Sequence, residues 1–117
     1  MSALAPGAAE FDAALAVLAA LDRIAERIAE GRVFFDRNED RQLALVFLWT
    51  NVGSQLKQYC RRLDIPAGTE PFAGPIQMRD KLVYGSVRAL DAEVVWDTCV
   101  LNGPELHELV TDLRSAL

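Results

Sequence analysis

Residues 36–63 read DRNEDRQLALVFLWTNVGSQLKQYCRRL. Leu43, Val46, Phe47, Val52, Leu56, Tyr59, Cys60 and Leu63 recur at three- and four-residue steps, the period of an α-helix with one apolar face. Asp36 and Glu39 have the spacing of a capping box, so the helix is expected to start between Asp36 and Asn38 and to run to about Arg62. Leu45, Leu48 and Trp49 widen the apolar stripe beyond one face. A helix apolar on two sides faces two neighbours, so its first half is expected to pack inside the protomer and against a partner chain, with Leu45, Leu48 and Trp49 at the dimer interface.

On the N-terminal side, Phe11, Leu15, Leu18, Ala25 and Ile28, flanked by Leu21 and Ile24, predict an amphipathic helix from about Glu10 to Glu30, with Gly31 as its stop. On the C-terminal side, Pro66, Gly68, Pro71, Gly74 and Pro75 break the chain into a loop over 64–75, which Phe72 is expected to pin to the core. Pro75 suits a first helical position, opening a helix that carries Met78 through Tyr84, with Gly85 able to end it. Asp91 is a cap for the next helix, whose inward residues are expected to be Val94, Val95, Trp96 and Cys99. Asn102-Gly103-Pro104-Glu105 combines a stop with a new capping box, and Leu106, Leu109, Val110, Leu113 and Leu117 form a final stripe. No strand alternation competes anywhere. The expected fold is all-α, an up-and-down bundle of four or five helices in a single domain over residues 1–117.

The chain has 117 residues, enough for one core but near the size at which a dimer interface adds useful burial. Twelve basic residues against 17 acidic give a net charge of -5, which argues against a surface built for sequence-independent nucleic-acid binding and leaves only local RNA contacts. Cys60 and Cys99 lie in helical apolar patterns rather than at metal-ligand spacing, so they are expected to be buried free thiols, with no metal site and no cofactor. The longest N-terminal apolar stretch, Ala13 to Leu21, is too short for a bilayer and has no basic segment before it. A soluble, cytoplasmic protein without membrane association is expected.

The stretch Met78-Arg79-Asp80-Lys81-Leu82-Val83-Tyr84-Gly85, then Val94-Val95-Trp96-Asp97, then Pro104-Glu105-Leu106 carries a family resemblance. In order, these residues resemble the Arg-Asn-x-x-x-His, Ile-Val-Trp and Leu-Pro-x-Leu landmarks of HepT-like proteins, the small helical HEPN ribonuclease toxins that pair with a minimal nucleotidyltransferase antitoxin. Gly53 stands where that family commonly has Gly-Glu, and the resemblance spans about Leu18 to Leu117. It implies a HEPN-like homodimer, a metal-independent RNA site at the dimer cleft, and a site built on Arg79 and Tyr84.

Four departures bear on activity. Tyr84 stands in place of the His, Asp80 in place of the Asn, Ser54 in place of the Glu, and Ser86 in place of a tyrosine that the partner nucleotidylates. The family chemistry is attack of an RNA 2′-hydroxyl on the adjacent phosphate, with His moving protons and Arg stabilising phosphoryl charge. Arg79 keeps the second role. A phenol, with an ordinary pKa of about 10, is a poor base at neutral pH. Asp80 sets a negative charge beside the arginine that should meet phosphate. The plainer alternative for Arg79 and Asp80 is a surface ion pair, and for Tyr84 a half-buried aromatic at a helix end. Lys57, Arg61 and Arg62 form a basic turn that could touch an RNA backbone, or be a solvated face, or pair with nearby carboxylates. His107 lies among acidic neighbours on what reads as a solvated face.

Three readings remain open from the sequence. The first is a HepT-like dimer of toxin–antitoxin type, ribonuclease-derived, that persists as a binding module with weakened or lost cleavage. The second is an active metal-independent ribonuclease toxin using Arg79 and Tyr84 and neutralised by a nucleotidyltransferase. The third is an unrelated helical interaction domain.

Overall fold

The computed structural model describes residues 8–66, 68–84 and 91–115, with side chains described over 13–66, 68–82 and 91–115. The described residues contain α1 (Ala8–Ala29), α2 (Arg32–Asp36), α3 (Glu39–Arg62), α4 (Ala73–Tyr84), α5 (Ala92–Asp97) and α6 (Gly103–Ser115), with no strand among them. Gly85 and Ser86, and the expected helix end at Gly85, lie outside the described residues.

α1 packs along α3 and α6, and α3 packs along α4. The pairings run antiparallel. Early α1 residues Ala14 and Val17 meet late α3 residues Leu56 and Tyr59 together with Val110 of α6, while Leu21, Ile24 and Ile28 lie against Cys99, Gly103 and His107. Tyr59 stacks on Phe72 at 6.0 Å between ring centroids, so Phe72 does anchor the loop before α4. The result is the expected up-and-down helical bundle. Its core is built from Val17, Leu21, Ile24, Leu45, Trp49, Val52, Leu56, Cys60, Val95, Cys99, Leu106 and Val110. Among the described residues no helix is long and apolar enough to cross a membrane, and no group of side chains is placed to hold a metal ion.

The structure departs from the sequence expectations at several places, among them Val94, expected inward but 43% exposed. Gly31 adopts φ 98°, a conformation open to glycine, but it is followed at once by the short helix α2 rather than by a turn. The cap of α3 is consequently Asn38, whose side chain accepts from the Arg41 amide at 3.1 Å, and Asp36 instead pairs with Arg32 at 2.9 Å within α2. Pro75 is the third residue of α4 rather than the first; its missing N–H still costs nothing there, because first-turn amides have no acceptor within the helix.

A further departure is at Asn102–Glu105, where no break occurs. Asp91 caps the helix as expected, accepting from the Glu93 and Val94 amides at 3.0 and 3.3 Å. The chain then continues through a π-helical turn at Thr98–Asn102 straight into α6, and Gly103 is helical at φ -57°, ψ -57°. Pro104 supplies the reason. Inside a helix it lacks the N–H owed to the carbonyl four residues back, and its ring crowds that carbonyl. A widened π turn just before it absorbs the mismatch without ending the helix.

The stripe of α3 also divides differently from expectation. Leu45 and Trp49 are each 1% exposed and belong to the protomer core, and Leu48 is partly buried against it. The excess apolar width of α3 is therefore used within the protomer, where α1, α2, α4 and α5 all contact it, rather than by a partner at Leu45 and Trp49. The outward residues of its first half are Leu43 and Phe47, 38% and 67% exposed. Cys60 and Cys99 are buried free thiols, and burial pushes the Cys99 thiol up to about 12, so it is no nucleophile near neutral pH.

A candidate anion site at the seam of α3 and α4

α3 meets α4 at Gly53, and the closeness of that contact sets up the site. A Cβ added at Gly53 would overlap Arg79 Cβ, and would stand 2.7 Å from Arg79 Cγ and 3.2 Å from the Pro75 carbonyl oxygen. Without a side chain at Gly53, the base of Arg79 lies directly on the α3 backbone. Ser54 and Lys57, one and four residues further along α3, are thereby brought beside Arg79 and Asp80.

The four side chains form one hydrogen-bonded group. Arg79 Nε donates to Ser54 Oγ at 3.0 Å, and Arg79 Nη1 donates to Asp80 Oδ1 at 2.8 Å. Lys57 Nζ donates to the same Asp80 oxygen at 3.2 Å. The Arg79 side chain is 21% exposed, and those of Lys57 and Asp80 are each 37% exposed, so the group is half-buried and open on one side. Hydrogen bonds from Arg79 first and Lys57 second hold the Asp80 carboxyl below the usual carboxylate range. The site thus holds two cations from two helices and one carboxylate that quenches both.

Of the expected site residues, Arg79 and Asp80 are brought together as an ion pair and Lys57 joins them, taking the carboxylate-paired alternative. Arg61 and Arg62 are exposed at the end of α3 and make no part of the group. The side chain of Tyr84 lies outside the described residues, so its expected convergence with Arg79 does too. The residue missed was Ser54. It registered only as a departure from Gly-Glu, although a small polar residue directly after a glycine at a helix crossing is the natural acceptor for a long donor from the opposite helix. His107 is not part of this site: its Nε2 lies 3.0 Å from Asp22 Oδ1 on α1, with Thr111 beside it.

Among the described residues, two larger concavities lie elsewhere on the bundle. One, of about 520 Å³, runs between α1 and the π turn and is lined by Leu21, Ile24, Ile28, Cys99, Pro104 and His107. The other, of about 400 Å³, lies under the loop before α4 and carries Glu70, Glu105, Glu108 and Asp112, a lining that repels nucleic acid. Compared with models of known families, with curated proteins and with solved structures, the chain gives no match.

Proposed function

We propose that this chain is a HepT-like HEPN protein, a ribonuclease-derived homodimeric module of a toxin–antitoxin type system whose RNA cleavage is weak or lost. One observation carries the loss of function: the arginine that the resemblance assigns to phosphate is already bound to Asp80, in a helical bundle whose motif also lacks the histidine base. Arg79 remains partly exposed at an open seam, so the module keeps a local point of contact for RNA while its overall charge of -5 opposes broad binding. A minimal nucleotidyltransferase is the proposed partner and the cytoplasm the proposed location.

The test is RNA binding and cleavage by the parent and by Arg79→Ala, each checked for folding by circular dichroism. The expected result is weak, salt-sensitive binding that falls severalfold in Arg79→Ala, with little or no cleavage in either. Robust cleavage that disappears in Arg79→Ala would instead support an active ribonuclease working with Arg79 and Tyr84.

The dimer is proposed to form through Leu43 and Phe47, the outward apolar pair of α3, on the same side of that helix as Ser54. Phe47→Asp is then expected to yield monomers by light scattering with little loss of monomer stability, since Phe47 is 67% exposed. A dimer that survives Phe47→Asp across a dilution series would remove this surface from consideration.

A further inference from the structure

We propose that Lys57 and Arg79 form a two-cation phosphate clamp whose resident occupant is the protein's own Asp80 carboxylate, so that an RNA phosphate binds by displacing Asp80 rather than beside it. This rests on the RNA reading above and adds both a binding residue, Lys57, and a built-in competitor.

The geometry carries it. Lys57 Nζ and Arg79 Nη1 come from different helices and converge on the single oxygen Asp80 Oδ1, at 3.2 and 2.8 Å. A non-bridging phosphate oxygen offers the same charge and acceptor capacity at the same point, with further oxygens to meet the remaining donors. The two cations do not owe their spacing to Asp80 alone. α3 and α4 are locked together at Gly53, and Arg79 is separately held through Nε by Ser54. If the carboxylate leaves, the guanidinium therefore stays in position, already oriented. Asp80 can leave without unfolding anything: its side chain is 37% exposed, and a change of rotamer at a partly exposed aspartate returns the carboxylate to water.

An intramolecular carboxylate is an efficient competitor because it is always at hand, whereas a phosphate must be recruited from solution. Arg61, exposed one turn beyond Lys57 on the same face of α3, adds a further cation along the path an RNA backbone would take once the clamp opens. A purely structural pair between α3 and α4 would share the same distances, but it makes opposite predictions for RNA.

The experiment is equilibrium binding of an end-labelled single-stranded RNA, followed by anisotropy over a series of salt concentrations, with circular dichroism melts of every variant. Asp80→Asn keeps the shape of the side chain and removes its charge, and it is expected to tighten binding about tenfold, the scale of one charge-assisted hydrogen bond regained. Lys57→Gln is expected to undo most of the gain in the Asp80→Asn background and to weaken the parent less, because in the parent it loosens the resident carboxylate as well as the phosphate. In the Asp80→Asn background it should also flatten the logarithmic salt dependence by roughly 0.7, the value for one phosphate contact on a single strand. Asp80→Glu, which retains the competitor, should behave as the parent.

If Asp80→Asn leaves the affinity of a folded, Arg79-dependent binder unchanged, or if Lys57→Gln weakens binding equally with and without Asp80, the clamp is wrong while the RNA reading stands. If neither the parent nor folded Asp80→Asn binds RNA in an Arg79-dependent way, both fall together.

Discussion

Replacing Tyr84 by His and Asp80 by Asn together should raise RNA cleavage by about a hundred- to ten-thousandfold, the usual worth of general acid–base assistance. The two changes act on different parts of the reaction. Imidazole titrates near neutrality and can take the proton from a 2′-hydroxyl, which a phenol at its ordinary pKa does poorly. Removing the Asp80 charge frees Arg79 Nη1, now bound to it at 2.8 Å, to meet the phosphate whose charge grows in the transition state. Asp80→Asn alone should improve binding more than turnover, and Tyr84→His alone should suffer from an arginine still occupied. The combination should therefore exceed the sum of the single effects. Cleavage of labelled RNA by the four proteins, each compared with its own Arg79→Ala version, measures this. A parent that already cleaves in an Arg79-dependent manner and gains nothing from the double change would overturn the degenerate-nuclease proposal.

Gly53→Val should be the most destabilising single substitution at the site, costing about 3 kcal/mol or more, whereas Gly103→Ala should be neutral or stabilise by up to about 1 kcal/mol. Both glycines are helical, so loss of glycine's extra backbone freedom favours either replacement, less for β-branched Val than for Ala. Their surroundings decide the sign. At Gly53 a new Cβ runs into Arg79 Cβ, which is fixed to the α4 backbone and cannot swing away as a side-chain tip could. The two helices must separate, opening the bundle seam and pulling Arg79 off Ser54 and Lys57 off Asp80. At Gly103 a Cβ meets nothing within 4 Å. For a domain of this size each kcal/mol moves the melting midpoint by roughly 4 °C or more, so the contrast is readable in thermal melts. Equal midpoints for Gly53→Val and the parent would mean that the α3–α4 contact is looser than described.

Much of the bundle could be read from apolar spacing and caps, because those are local. α1, α3, the Asp91 cap and the anchoring role of Phe72 all follow from residues within a turn or two of one another. The failures share a different cause. α2 is five residues long, and too few repeats fall within Arg32–Asp36 for a period to show. The continuity of Ala92–Ser115 through Pro104 was hidden because proline and glycine are usually stops, and only tertiary packing makes a π turn the better solution. The width of the α3 stripe is legible, but not which part of it the protomer itself covers, and Leu45 and Trp49 belong to its own core rather than to a partner surface. At the site, Arg79 and Asp80 are neighbours in sequence and their pairing was foreseeable. Ser54–Arg79 and Lys57–Asp80 span 25 and 23 residues and depend on the register of α3 against α4, which no local pattern encodes.

The unbroken run from Ala92 to Ser115 has a mechanical meaning. Near one end, Trp96 is gripped by Phe35 at 5.0 Å between ring centroids and by the Arg32 guanidinium above it. Towards the other end, Val110 and Leu113 are wedged between α1, α3 and Phe72. A break at Asn102 would separate these two contacts; the unbroken run joins them in one helix. The aromatic clasp at Trp96 and the contacts of Val110 and Leu113 with α1 and α3 thus belong to one continuous helical segment.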